Sequence, residues 1–289
     1  MAGEESGRQD ALTRRGLLAA AAGTAFATAA RAEAPGLVLN GQFIQGGFAM
    51  GRTAPRAKIL LDGQEVGEAS AGGLFVVGFD RDAADAADIA ARTSGGQSGR
   101  RVGVAKGTFD IQRINGLPED QVTPTDPALL ARIADETRRK NIGFASRTDR
   151  EDFRDGFVLP VKDFRLAAHF GGQRILNGEP KRPHYGDDLA APVGTPVTAP
   201  AAGVVAFAQS GLHYEGGLIM LDHGQGLLSL YLHLSRLDVA VGQVVRRGEL
   251  IAAVGKEGRA TGPHLCWRLW WRGRHMDPML LIGAAAPSP

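Results

Sequence analysis

From Phe157 onward the chain is a succession of strand-length apolar runs closed by glycine or proline: FVLPV, DFRLAAHFG, GTPVTAPAAGVVAFAQ, GGLIMLDHG, GLLSLYLHL, GQVVRRGELIAAVG and HLCWRLWW. Short runs bounded by turn residues form strands rather than helices. The one place with room for a helix is near Leu234–Leu237. The 40 glycines in 289 residues point the same way, towards many tight turns. The pattern predicts a mainly β chain with an all-β core of about 130 residues, an ordinary size for one domain. GTPVTAPAAGVV and GQVVRRGELIAAVG resemble each other, which suggests a weak internal duplication.

Upstream, residues 35–115 also read as short strands with glycine turns, and Asp62-Gly63 after Leu60-Leu61 marks a hairpin. This spacing predicts a small β-sandwich. Within it, residues 82–96 are compatible with loop, short helix or strand. Residues 116–152 differ in kind. A turn-rich connector leads into DPALLARIADETRRKN, with apolar residues at Leu129, Leu130, Ile133 and Ala134 in helical spacing. Asp126 is the expected N-cap, with Pro127 at the first helical position. The charged run Thr137–Lys140 reads as a solvated helix end, and the whole stretch as a helical linker packed between two domains. The remaining segments are 153–283, the second β domain, and 284–289, a tail.

A formal net charge of +2 gives no reason to expect a nucleic-acid partner. The single cysteine excludes an intrachain disulfide. Residues 1–34 have the layout of an export signal. Arg14-Arg15 precede an apolar run from Gly16 to about Ala30, followed by small residues suited to cleavage after Ala32 or Ala34. The paired arginines fit the twin-arginine route. The expectation is a protein of the periplasm or cell envelope, with no membrane span once the signal is removed.

Candidate chemistry gathers in three places: PHYGDDL with His184 and Asp188, YLHL with His233, and GPHLCW with His264 and Cys266. In an extended strand, residues two or four apart face the same side, so each pair can converge. Imidazole, carboxylate and thiolate all bind zinc, and three such ligands with an open position make a catalytic site.

Together these stretches, over roughly residues 155–283, resemble the lysostaphin/LytM-type zinc peptidases that cut bacterial cell-wall peptides. The resemblance implies a LytM-type β-sheet or barrel-like peptidase domain, with Zn2+ as cofactor. It implies His184 and Asp188 as two metal ligands, Cys266 at the position of the third, and His233 and His264 as catalytic histidines. The amino-terminal block is similar, more weakly, to the immunoglobulin-like domain ahead of some of these peptidases. The implied activity is endopeptidase hydrolysis of peptidoglycan peptides, by attack of a zinc-activated water assisted by the two histidines.

Cys266 departs from the family, which has histidine there. A thiolate beside Asp188 cancels both charges of the metal, so a bound water should be less acidic and the enzyme slower. Two rivals follow: a catalytically weak LytM-type module that binds cell wall or regulates another wall hydrolase, and a plain buried cysteine beside a defunct site. A zinc peptidase acting on exported proteins is a third. Tyr231 shares strand parity with His233 and is a candidate support for it or a packed aromatic. Arg174 reads as a strand cap rather than a substrate-orienting group. Trp267, Trp270 and Trp271 could line a groove, though a half-buried strand accounts for Trp267. His223 sits where the family often has a histidine without catalytic duty, and His169, His213 and His275 have no partner pattern.

Overall fold

The computed structural model describes residue 34 and residues 36–288, so the export segment lies outside the described residues apart from Ala34. Seven strands come first: β1 (Val38–Gln42), β2 (Phe48–Arg52), β3 (Lys58–Leu61), β4 (Gln64–Glu68), β5 (Leu74–Gly78), β6 (Ala86–Thr93) and β7 (Gly96–Gly103). They form a three-stranded sheet, β1-β2-β5, and a four-stranded sheet, β4-β3-β6-β7. The β3–β4 hairpin turns on Asp62 and Gly63, both with positive φ (51° and 79°), as a two-residue loop with matching twist requires. The ambiguous alanine–aspartate stretch is strand β6. Ala87, Ile89 and Ala91 face inward while Asp88 faces out, a period of two.

Next come β8 (Ile111–Ile114), a single turn α1 (Glu119–Val122) and α2 (Pro127–Phe144). The α2 cap is the expected one, with the Asp126 carboxylate accepting from the Leu129 amide at 2.8 Å. The buried positions of α2 are Glu136 and Gly143, whereas Leu130 is exposed. Glu136 accepts from the His213 amide (2.9 Å), and Phe144 packs on Trp270 at 4.7 Å. The charged run is therefore not a helix end. Helix continues to Phe144, and Lys140 is tucked against Glu215 at 2.5 Å.

The remaining strands are β9 (Arg165–Ala168), β10 (Gln173–Leu176), β11 (Glu179–Pro180), β12 (Asp187–Ala190), β13 (Pro196–Thr198), β14 (Gly203–Leu212), β15 (Gly216–Asp222), β16 (Leu227–Leu234), β17 (Arg236–Leu237), β18 (Val244–Val245), β19 (Leu250–Ala253), β20 (Leu265–Trp271) and β21 (Arg274–Met276). They build an eight-stranded sheet, β18-β14-β15-β16-β20-β12-β9 with β21 on β20, and a small sheet, β13-β19-β17. The one place with room for a helix, Leu234–Leu237, holds the end of β16 and the short strand β17, paired to β19. The two similar segments pair with each other, β13 to β19 and β14 to β18. A third small sheet joins distant sequence: β8 runs parallel to β10, beside β11.

The large sheet has two unlike faces. Leu265, Trp267, Leu269 and Trp271 of β20 join Leu189, Tyr231 and Met276 in one core, which runs on into Phe75 and Val77 of the amino-terminal sheets. Cys266 and Trp270 belong to a smaller apolar group on the other face, with Leu230, Leu232, Phe207 and Met220. Neither Trp267 nor Trp271 lines a groove; both are fully buried in the main core. Among the described residues no helix is long and apolar enough to cross a membrane.

Candidate metal centre

The site forms where β12 and β20 run side by side. Asp188 is the register partner of Cys266, so their side chains emerge next to each other on the same face. Its neighbour Asp187 points to the opposite face and accepts from the Phe170 amide at 3.1 Å. Burial, with Asp277 alongside, pushes the Asp187 carboxyl well above the usual range.

His184 lies in the loop before β12, so its convergence with Asp188 does not come from shared strand parity. Its backbone is clamped instead: its amide donates to Gly172 O (2.7 Å) and its carbonyl accepts from Gly171 N (2.6 Å). Gly186 between them lets the loop press onto β20. A Cβ there would fall 2.7 Å from Trp267 O and 2.5 Å from Arg268 Cγ, distances only glycine permits. The result brings His184 Nε2 to 3.1 Å from Asp188 Oδ1 and 3.3 Å from Cys266 Sγ.

His233, last but one in β16, has φ 65°, a left-handed conformation that is unusual for a bulky residue and is found at functional sites. Opposite it, the β15 register slips between Gly217 and Ile219, a bulge that breaks the alternation. Tyr231 and Leu234 consequently both face the main core, while the His233 ring comes to 4.7 Å from that of His264. Tyr231 does not support His233; its hydroxyl bonds Ser229 at 2.7 Å. His264 sits just before β20, its amide donating to Gly255 O at 3.1 Å. Gly255 is a second place that admits no side chain, because a Cβ would lie 2.5 Å from both His233 O and Ser235 N.

Both of these rings are tied through Nδ1. His233 donates to Glu257 O at 2.7 Å and His264 to Gly262 O at 2.8 Å. A carbonyl only accepts, so each Nδ1 carries a hydrogen and Nε2 is the ring nitrogen left free for other partners. His264 Nε2 lies 3.5 Å from Asp188 Oδ1, the same oxygen that His184 Nε2 approaches to 3.1 Å. The close approach of both imidazoles to one carboxylate oxygen suits a shared cation.

Electrostatics agree. Burial lowers the pKa of His184 to about 4, against the pull of Asp188, and that of His233 to about 3, with His264 adding to the effect. Burial alone would raise Asp188, but His184, His264 and Arg174 together hold it well below the usual carboxylate range. Burial pushes the Cys266 thiol up to about 12, opposed by Arg268, whose Nε donates to Sγ at 3.2 Å. Arg268 thus sits beside the negative charge that Cys266 would carry as a thiolate.

The donor set fits a tetrahedral metal ion. The ligand atoms of His184, Asp188 and Cys266 lie within 4.8 Å of one another. Tetrahedral zinc with ordinary bond lengths spaces N and S by about 3.6 Å, close to the spacing seen. Mixed imidazole, carboxylate and thiolate donors suit zinc in particular. Sequence reasoning missed Arg268 and undervalued Arg174. Arg174 does not cap a strand end: it lies within β10, with Nη2 3.8 Å from Asp188 Oδ2. Of the other histidines, His223 is fully buried between Ala202 O and Ser229, and His275 stacks on Tyr185 at 3.9 Å.

Residues 182–278 match the model of peptidase family M23. The chain is 41% identical over 119 residues to the peptidoglycan DD-endopeptidase ShyA of Vibrio cholerae, covering 40% of this chain and 27% of that protein. It is 39% identical over 132 residues to the DD-carboxypeptidase/endopeptidase Mpg of Neisseria meningitidis, covering 46% and 30%. The chain thus spans less than a third of the length of these curated relatives. A crystal structure of a Pseudomonas aeruginosa protein assigned to peptidase M23 superposes with a TM-score of 0.64 at 29% identity, over 84% of this chain and 96% of that one. The carboxy-terminal domain of this chain belongs to peptidase family M23.

Proposed function

We propose that this protein is an exported zinc-dependent endopeptidase that hydrolyses peptide bonds in bacterial peptidoglycan, working in the periplasm or cell envelope. The observation that carries the reading is the convergence of His184 Nε2, Asp188 Oδ1 and Cys266 Sγ beside two histidines that present Nε2 to the same space. The peptidoglycan substrate is drawn from the names of the relatives, and export from the twin-arginine leader in residues 1–34.

Zinc held by His184, Asp188 and Cys266 would supply Lewis acidity to the attacked carbonyl. The chain's own groups do the rest. His233, kept neutral by burial, has a free Nε2 lone pair with which to take a proton from the attacking water. His264, its Nδ1 anchored on Gly262 O, offers Nε2 at the cleft, where once protonated it donates to the developing oxyanion or to the leaving amine. Arg268, through its bond to Sγ, draws electron density from the sulfur and offsets the charge that Cys266 adds.

The test combines metal analysis with digestion of purified sacculi. The expected result is about one zinc per chain and release of peptide fragments. His264→Ala should abolish release with zinc retained, and His184→Ala should lose both. A zinc-loaded protein that releases nothing would overturn the enzyme and favour a module that binds the wall or regulates another hydrolase.

A further inference from the structure

Two guanidiniums stand beside the metal-binding cluster with little to neutralise them. A cleft of about 460 Å³ is lined by Arg165, Arg174, Asp188, Thr261 and His264, among others. A second recess shares Arg174, Asp188, Thr261 and His264 and adds Arg259. The Arg174 side chain is only 16% exposed, and its Nε is buried without a hydrogen-bond partner. Asp188 does not satisfy it: at 3.8 Å the contact is beyond hydrogen-bond length, and that carboxylate is already shared with His184 and His264.

Arg259 is held in place rather than neutralised. Its Nη1 donates to Gln121 O at 3.0 Å, and its guanidinium lies 4.7 Å over the Tyr214 ring. Burial lowers its pKa, as do the nearby charges of Arg174 and Arg268, opposed by Tyr214 and by Glu215, which is itself paired with Lys140. Crowded, desolvated cations with unused donors are costly unless an anion joins them. The planar fork of a guanidinium matches a carboxylate, two bonds to two oxygens.

We propose that Arg174 and Arg259 form a subsite for a free carboxylate of the substrate, carried on the peptide beside the bond that is cut. The inference rests on the peptidase reading of the neighbouring centre. Two sources share the chemistry: the terminal carboxylate of a peptide, and a carboxylate on the side chain of an internal residue.

The experiment uses the full chain loaded with zinc and three synthetic cross-linked stem peptides: the free acid, one amidated at the terminal carboxylate, and one amidated at the internal side-chain carboxylate. Binding is measured by calorimetry and cleavage by kcat/KM. Amidation at one of the two positions should weaken binding by about tenfold to a hundredfold, the scale of a charge-assisted hydrogen-bond pair. The position that matters identifies the source. Arg174→Gln and Arg259→Gln should each bind acid and amide nearly alike. Arg259→Gln carries the test should Arg174→Gln lose zinc, which metal analysis would reveal. Equal binding of all three peptides by the unaltered protein, binding of none, or an acid preference that survives in both variants would overturn the subsite. An acid preference without any cleavage would leave the subsite standing and overturn the peptidase.

Discussion

The two faces of β20 share seven residues and almost no chemistry. On one parity Leu265, Trp267, Leu269 and Trp271 are sealed in a core continuous with the amino-terminal sheets. On the other, Cys266 and Arg268 meet each other and the Asp188–His184 pair. Strand periodicity sets adjacent residues on opposite sides of one backbone. The apolar face fixes the register, and the register decides which aspartate of the Asp187-Asp188 pair reaches the cluster. Stability and chemistry are thereby separable along a single strand, which invites substitutions that damage one and spare the other.

The largest effect should come from the sealed face. Trp267→Ala removes a fully buried indole and should cost about 3–5 kcal/mol in denaturant unfolding. The fraction that remains folded should still bind zinc. Loss of zinc affinity in folded protein would mean that the two faces are not independent. The reverse cut is Gly255→Ala. Its new methyl meets backbone of His233 and Ser235 on one side, while its carbonyl anchors the His264 amide. Displacing either ring by about 1 Å should lower kcat/KM by about a hundredfold with zinc still bound. Full activity in that variant would show that the histidine positions do not depend on this contact.

A smaller effect separates the faces by pH. His275 pairs with Trp270 on the polar parity, and burial lowers its pKa from about 6.5 to about 4, with Arg268 and Arg182 adding to the shift. Between those values the unfolded chain takes up a proton that the folded chain refuses. Its contribution to stability is therefore intact above pH 6.5 and lost as the pH falls towards 4. His275→Gln should remove roughly 2 kcal/mol of that acid-induced loss, read as a flatter stability–pH curve. An unchanged curve would place the acid sensitivity elsewhere.

Much of the site was legible because its chemistry is local in sequence. His184 and Asp188 flank a glycine, and His264 and Cys266 share a short segment. The hairpin at Asp62-Gly63 and the Asp126 cap were legible for the same reason: a turn or a cap needs particular residues at particular offsets. What failed depended on tertiary pairing. Parity joined Tyr231 to His233 until the bulge opposite Gly217 separated them. Arg174 was opaque because its place is set by β10 pairing with β8, some sixty residues upstream. Leu234–Leu237 left room for a helix, yet β19 supplies a strand partner that no local pattern announces. Propensity is a weak prior once long-range pairing is available.

The central claim is that one ion sits among an imidazole, a carboxylate and a thiolate. X-ray absorption at the zinc edge on the purified protein reads the ligands directly. The account predicts one sulfur at about 2.3 Å and nitrogen or oxygen neighbours at about 2.0–2.1 Å, with the sulfur signal gone in Cys266→Ser. Zinc bound with no sulfur neighbour would contradict it.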